Sequence, residues 1–288
     1  MLNKEWFINR INSFLREDES NRMTGVDGIL FWDPEVIVGF CSGDDSIFEY
    51  YKKVVGPFHL TPAEAYSKHF SVEINSPENL SVIAYILPTN KITKKENYEY
   101  NTEWPGERWS HTRLYGEQAN QKLQKYLLNE IKDEFGIDGV APMTEQKLFK
   151  IHRQHPEAYQ GVWASTWSHR HMCFASGLGS FGLSDGFINP RGKAMRCGSI
   201  VINYKLPSDA NSRPSDPYEY CLRDSCGDCI KRCPVGAITL ENGHDKQKCF
   251  LKVSSTTKYI QEHYHIPIYS CGLCQVGVAC SDGIPLKK

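Results

Sequence analysis

Apolar and polar positions alternate in helix-like and strand-like rhythms over the first two thirds of the chain, and the rhythm then gives way to cysteines. Between residues 4 and 15, Phe7, Ile8, Ile11, Phe14 and Leu15 recur at the three- and four-residue intervals that share one helix face, and residues 21–28 break the pattern. The run Val-Ile-Val-Gly-Phe at 36–40 predicts a short strand. Thr61, Pro62 and Glu64 read as an N-cap, a proline at the first helical position and an acid in the first turn, so a helix is predicted from Pro62. Residues 80–87, bounded by Pro77 and Pro88, have the length and β-branched content of a buried strand at the centre of a sheet. Ala119, Leu123, Tyr126, Leu127 and Ile131 form an apolar stripe with Lys, Gln and Glu opposite, which predicts a core-facing helix over 116–134 stopped by Gly136. Thr144 and Glu145 are expected to open a shorter helix through Ile151.

Residues 207–217 carry Pro207, Pro214 and Pro217 among serines and aspartates, and read as a turn-rich linker. The boundary is therefore placed between a domain of 1–206 and a smaller one of 207–288. With 33 Lys+Arg against 34 Asp+Glu the net charge is −1, which offers no overall electrostatic footprint for nucleic acid or an anionic membrane. The longest clean apolar run, 80–87, is far short of the roughly 20 residues that span a bilayer. The N-terminus has no basic n-region and apolar h-region, so a cytoplasmic protein without a membrane partner is expected.

Eight of the eleven cysteines fall in two groups of four: Cys221, Cys226, Cys229 and Cys233, then Cys249, Cys271, Cys274 and Cys280. That is the ligand count of two [4Fe–4S] clusters, and the first group ends in CxxCxxxCP, near the bacterial ferredoxin run whose last cysteine crosses to the other cluster. By the same crossing, Cys221, Cys226, Cys229 and Cys280 are expected to hold one cluster, and Cys233, Cys249, Cys271 and Cys274 the other. Zinc has no need of the Cys233-Pro234 step, and disulfides would need an oxidising compartment. Cys41, Cys173 and Cys197 stand alone, as small buried hydrophobes do.

Upstream, four glycines in ten residues (Gly177, Gly179, Gly182 and Gly186) let the backbone turn sharply or approach a flat ligand. GLGSFG at 177–182 matches the dinucleotide spacing, but no strand signal leads into it and Gly186 and Pro190 break any helix after it. A pocket for another redox cofactor, lined by Gly177, Leu178, Gly179, Gly182, Asp185, Gly186, Gly198 and Ser199, competes with ordinary turns.

A strand ending in Leu87-Pro88, a helix after Tyr115, AxGLGxxG at 175–182, Ile188-Asn189-Pro190, Gly198-Ser199-Ile200-Val201 and then the two cysteine motifs resemble the epoxyqueuosine reductases and, more distantly, the reductive dehalogenases. The likeness covers roughly residues 80–285. It implies an α+β chain: a nitroreductase-like α/β domain holding cobalamin, followed by a bacterial ferredoxin-like domain whose two clusters reduce the cobalt.

The chain departs from that family at its acid. Counting back from Gly177, the position of the family's aspartate falls on Trp163, and a neighbouring carboxylate position falls on His169. His169, His171 and Arg170 are the candidates to take over, because histidine titrates near neutrality and arginine holds anions. The competing reading is that these histidines only pack and hydrogen-bond. Asp185, Tyr115, Arg108, His111 and Arg113 are further candidates for the pocket. The spacings from Cys221 to Cys226 and from Cys274 to Cys280 also exceed the family's, and nothing after residue 288 supplies the helical repeats that help to hold tRNA. The expected function is an oxidoreductase passing electrons through two [4Fe–4S] clusters to cobalamin and on to a small-molecule substrate, fed by a low-potential donor such as ferredoxin or flavodoxin. tRNA is not expected as a partner. The alternative is a corrinoid-free, ferredoxin-like electron-transfer protein.

Overall fold

A computed structural model describes residues 1–288 except 101, 159–162 and 287–288. Asn3 caps the first helix, α1 (Lys4–Glu17), which buries Phe7, Ile11, Phe14 and Leu15. The chain continues through β1 (Ile37–Ser42), α2 (Ile47–Val54) and α3 (Pro62–Phe70), whose N-terminus is a capping box between Thr61 and Glu64. There follow β2 (Ser81–Pro88), α4 (Lys91–Glu99), α5 (Glu107–His111) with a π-helical turn after it (Thr112–Gly116), and α6 (Glu117–Phe135), which stops where Gly136 turns left-handed. Next come β3 (Gly139–Val140), β4 (Ile151–Arg153), β5 (Trp163–Ser165) and α7 (His169–Ala175). Then β6 (Ser180–Phe181), β7 (Phe187–Ile188) and β8 (Met195–Ile202) complete the upstream part. The cysteine-rich part holds α8 (Asp228–Arg232), β9 (Ile238–Thr239), β10 (Gly243–His244) and the long α9 (Lys246–Tyr264).

This is a mixed helix-and-sheet chain built on one antiparallel sheet in the order β1-β2-β8-β3. β2 lies between β1 and β8 and is buried along its whole length. Alternation along a strand sends its side chains to opposite faces. Ile83, Tyr85 and Leu87 accordingly join the core under α1 and α6, while Val82, Ala84 and Ile86 join the core under α2, α3 and α7. Two helical layers thus sandwich the sheet. The lone Cys41, Cys173 and Cys197 lie in the second core.

Two expectations change. The helix foreseen from Thr144 to Ile151 is instead a single 3-10 turn, Pro142–Thr144, followed by the hairpin β4–β5, in which Ile151 pairs with Ser165. The stretch 207–217 is not a free linker: it is fastened to the sheet edge. The Phe40 N–H donates to Asp209 Oδ2 at 2.8 Å, and the Asp209 N–H to the Phe40 carbonyl at 2.8 Å. Arg213 bonds Asp45 at 2.5 Å and the Ala175 carbonyl at 2.9 Å.

The cysteine-rich part is seated on α4 and α5. Gly272 adopts φ 67°, and a Cβ there would lie 2.0 Å from the Trp109 ring, so the residue must be glycine on both counts. Asn97 Nδ2 donates to the Cys271 carbonyl at 3.2 Å, and the Tyr264 hydroxyl to the Pro105 carbonyl at 2.9 Å. Among the described residues, no helix is long and apolar enough to cross a membrane.

Candidate metal centre

Cysteines from distant parts of the sequence meet in space. Cys221, Cys226 and Cys229 line one cavity together with Cys280, some fifty residues on, and the rest of its wall includes Gly182, Leu183, Lys193, Leu222, Val278 and Pro285. No carboxylate or imidazole lines it, so sulfur is the only metal donor the side chains there offer. Burial pushes the Cys229 thiol up to about 11, against the pull of Lys193, and Cys274, Cys221 and Cys280 add to the rise. Cys249 is pushed up to about 12 by burial and by Cys274, Cys271 and Cys233. The thiols therefore fall into a set of Cys221, Cys226, Cys229 and Cys280 and a set of Cys233, Cys249, Cys271 and Cys274, with Cys229 and Cys274 where the two adjoin.

Among the described residues, no three His, Cys, Asp or Glu side chains close around a single-ion centre. A [4Fe–4S] cluster spreads its four thiolates over four irons, and this all-sulfur donor set fits that group. Backbone donors serve the sulfurs: the Leu183 N–H donates to Cys221 Sγ at 3.3 Å and the Ala237 N–H to Cys233 Sγ at 3.2 Å. Leu183 belongs to the upstream part, so one cysteine receives its hydrogen bond from the other half of the molecule.

The glycine-rich stretch faces the chain itself. A Cβ on Gly179 would stand 2.2 Å from the Ile188 carbonyl oxygen, and one on Gly198 would stand 2.1 Å from the Tyr85 ring. Gly177 turns the chain after α7 against Asp209, Leu178 packs on Gly39, and Gly182 lines the cysteine cavity. Gly186 makes room for the stem of Lys193. Where these glycines are tight, the chain's own residues are what they meet, and Gly182 and Leu183 line the cysteine cavity. Asp185, at φ 56°, accepts from His244 Nδ1 at 3.0 Å. Burial would raise its carboxyl, but His244 and Lys246 hold it below the usual range.

The candidate acids are held neutral. His169 is buried, its Nδ1 is 2.7 Å from Ser199 Oγ, and that oxygen also accepts from Trp167 Nε1 at 3.1 Å. Burial lowers His169 to about 3, with Arg196 adding to the effect. Its Nε2 is buried without a hydrogen-bond partner. His171 bonds Ser168 Oγ at 2.8 Å, packs edge-on against Tyr51 at 4.7 Å, and is lowered to about 3 by burial, with His59, Arg170 and Lys246 contributing. Burial thus favours the neutral imidazole at both positions. Arg170 donates to the Asp185 carbonyl at 2.9 Å. Trp163, at the family's aspartate position, packs its ring 4.8 Å from Phe250 of α9, with Arg153 stacked 4.6 Å away.

Of the further candidates, Arg108 is tied to Asp27 and Glu96, and His111 lies 5.5 Å from the Tyr115 ring. Arg113 is lowered by burial and by the neighbouring Arg196, with its guanidinium 5.6 Å from the Tyr269 ring. Sequence reasoning passed over Lys193, a charged residue whose burial depends on a segment almost ninety positions away, and no local signal could have marked it.

No family model matches the chain. Over 160 residues it is 32% identical to an epoxyqueuosine reductase of Staphylococcus aureus, covering 53% of this chain and 38% of the relative. Epoxyqueuosine reductases of Bacillus anthracis and Listeria monocytogenes are 29% and 28% identical over 116 and 106 residues. The chain is similar to the epoxyqueuosine reductases. The matched regions span 38% or less of these relatives' lengths. Among solved structures, an epoxyqueuosine reductase with a tRNA-Tyr epoxyqueuosine-modified stem loop matches 99% of this chain and 66% of its own, at 16% identity and a TM-score of 0.49. The Streptococcus thermophilus epoxyqueuosine reductase matches 99% of this chain and 69% of its own, at 15% identity and a TM-score of 0.47. The expectation that tRNA is not a partner is corrected: the relatives are epoxyqueuosine reductases, and one solved epoxyqueuosine reductase carries an epoxyqueuosine-modified tRNA stem loop.

Proposed function

We propose that this chain is an iron–sulfur reductase of the epoxyqueuosine reductase type, acting on a modified nucleoside carried by tRNA. The observation that carries the reading is the all-thiol cavity in which Cys280 joins Cys221, Cys226 and Cys229. Two [4Fe–4S] clusters, when bound, supply electrons one at a time at low potential. This chain's own residues pack Leu183, Val278 and Ile238 around Cys229, and present backbone N–H donors to Cys221 and Cys233. Reduction of an epoxide to an alkene consumes two electrons and two protons and releases the oxygen as water. Trp163 offers no acid and burial favours the neutral form of His169 and His171, so the proton is assigned to none of the three. No step is assigned to a corrinoid.

The test is anaerobic reconstitution with iron and sulfide, then incubation with an epoxyqueuosine-bearing tRNA stem loop and a low-potential reductant, with and without cobalamin. About eight irons per chain and loss of one oxygen from the nucleoside, read by mass spectrometry, are expected. Full iron loading with an unchanged nucleoside in both arms would refute the tRNA reading and leave an electron-transfer protein. Conversion only in the cobalamin arm would establish a corrinoid route.

A further inference from the structure

The wall of the four-thiol cavity holds a cation that the proposed chemistry does not use. Lys193 is 2% exposed. Its backbone N–H donates to the Cys280 carbonyl at 2.8 Å, which fastens the residue to the last of the four cysteines. Its stem runs past Gly186, where a Cβ would stand 2.5 Å from Lys193 Cδ, and its Nζ donates to Ser184 Oγ at 3.1 Å. Its charge is felt at Cys280, Cys229 and Cys274, where it opposes the rise that burial causes.

The other buried lysine among the described residues has an acid to face: Lys252 lies 3.8 Å from Glu103. Among the described residues, Lys193 makes no ion pair with a carboxylate. Burying an ammonium without a counter-ion costs several kcal/mol. The nearest negative charge available to offset that cost is a metal-bound set of thiolates, and metal binding deprotonates cysteine.

We infer that Lys193 tunes the iron–sulfur cluster held by Cys221, Cys226, Cys229 and Cys280, raising its reduction potential by favouring the more negative, reduced state. The inference rests on the two-cluster reading above. Charge near a cluster and hydrogen bonds to its sulfurs are among the levers that set its potential. Because Lys193 belongs to the upstream part, that part contributes to how readily the clusters accept an electron.

The experiment is a redox titration followed by electron paramagnetic resonance on anaerobically reconstituted wild type, K193M, K193Q, K193R and S184A, each assayed for iron and sulfide. With about eight irons retained, K193M and K193Q should lower at least one midpoint by tenfold or more in the reduction equilibrium, which is about 59 mV for one electron. K193R and S184A should keep the wild-type midpoints. Loss of four irons in K193M and K193Q with full loading in K193R would support the same role for the charge. Unchanged midpoints in fully loaded K193M overturn the inference, and so does an S184A shift as large as that of K193M, because packing would then be the cause. A wild type that takes up no iron overturns the two-cluster reading instead.

Discussion

Replacing Arg213 with methionine tests whether the stretch 207–217 holds the two parts of the molecule together. The Arg213 and Asp45 side chains are 18% and 16% exposed, and the guanidinium also satisfies the Ala175 carbonyl. Removing one partner of a buried pair costs about 3–5 kcal/mol. Residual exposure reduces this to roughly 2–3 kcal/mol, since surface pairs contribute about 1 kcal/mol or less. At about 2–4 °C per kcal/mol for chains of this size, R213M should melt about 4–12 °C below wild type. Burial would raise the Asp45 carboxyl, but Arg213 and the Ile47 N–H hold it below its ordinary value. Its contribution is therefore complete above the unfolded carboxyl pKa near 3.9 and is lost as pH falls through the lowered folded value. R213M should lack that acid-side loss. Circular dichroism melts of wild type, R213M, D45N and the double variant, at equal iron loading, give the coupling energy. A coupling below about 0.5 kcal/mol, the scatter of independent sites, would refute the argument.

C233S should halve the iron content, from about eight to about four per chain, because Cys233 stands with Cys249, Cys271 and Cys274 while the other four thiols remain intact; retention of all the iron would break that grouping. His59 and His169 are lowered from about 6.5 to about 4 and about 3 by burial, so the unfolded chain binds more protons as pH drops below 6.5. Stability should fall on acidification between pH 6 and 4, with His59 and His169 together contributing up to about 2.7 kcal/mol per pH unit, and H59N with H169N should remove that share of the slope in denaturant titrations while His171 keeps its own. G198A should destabilise by about 3 kcal/mol, because its methyl would enter the ring of buried Tyr85, whose hydroxyl donates to Asn120 at 3.0 Å; an unchanged melting temperature would show that the ring can move aside.

Local pattern made much of this molecule legible. The stripe on α6, the capping box at Thr61 and the full burial of β2 follow from spacing and from cap chemistry, which act within a few residues. The failures are non-local. Ile151 reads as the end of a helix until its strand partner Ser165 is known. That Ile188 and Tyr85 stand beside Gly179 and Gly198 is likewise invisible in the sequence. The cysteines named themselves by number and spacing, but the wall that closes over them did not, because Gly182, Leu183 and Lys193 reach them only through the tertiary fold.

That wall also implies an order of assembly. Residues 182–193 leave the ribosome before any of Cys221, Cys226, Cys229 and Cys280, and domains fold N-terminal first during synthesis. The upstream sheet and its helices thus form a template against which the late thiols are gathered. Iron delivered before Cys280 emerges would find three sulfurs and an open side, whereas iron delivered afterwards meets a finished enclosure. Maturation of this cavity is in that sense timed by the emergence of Cys280.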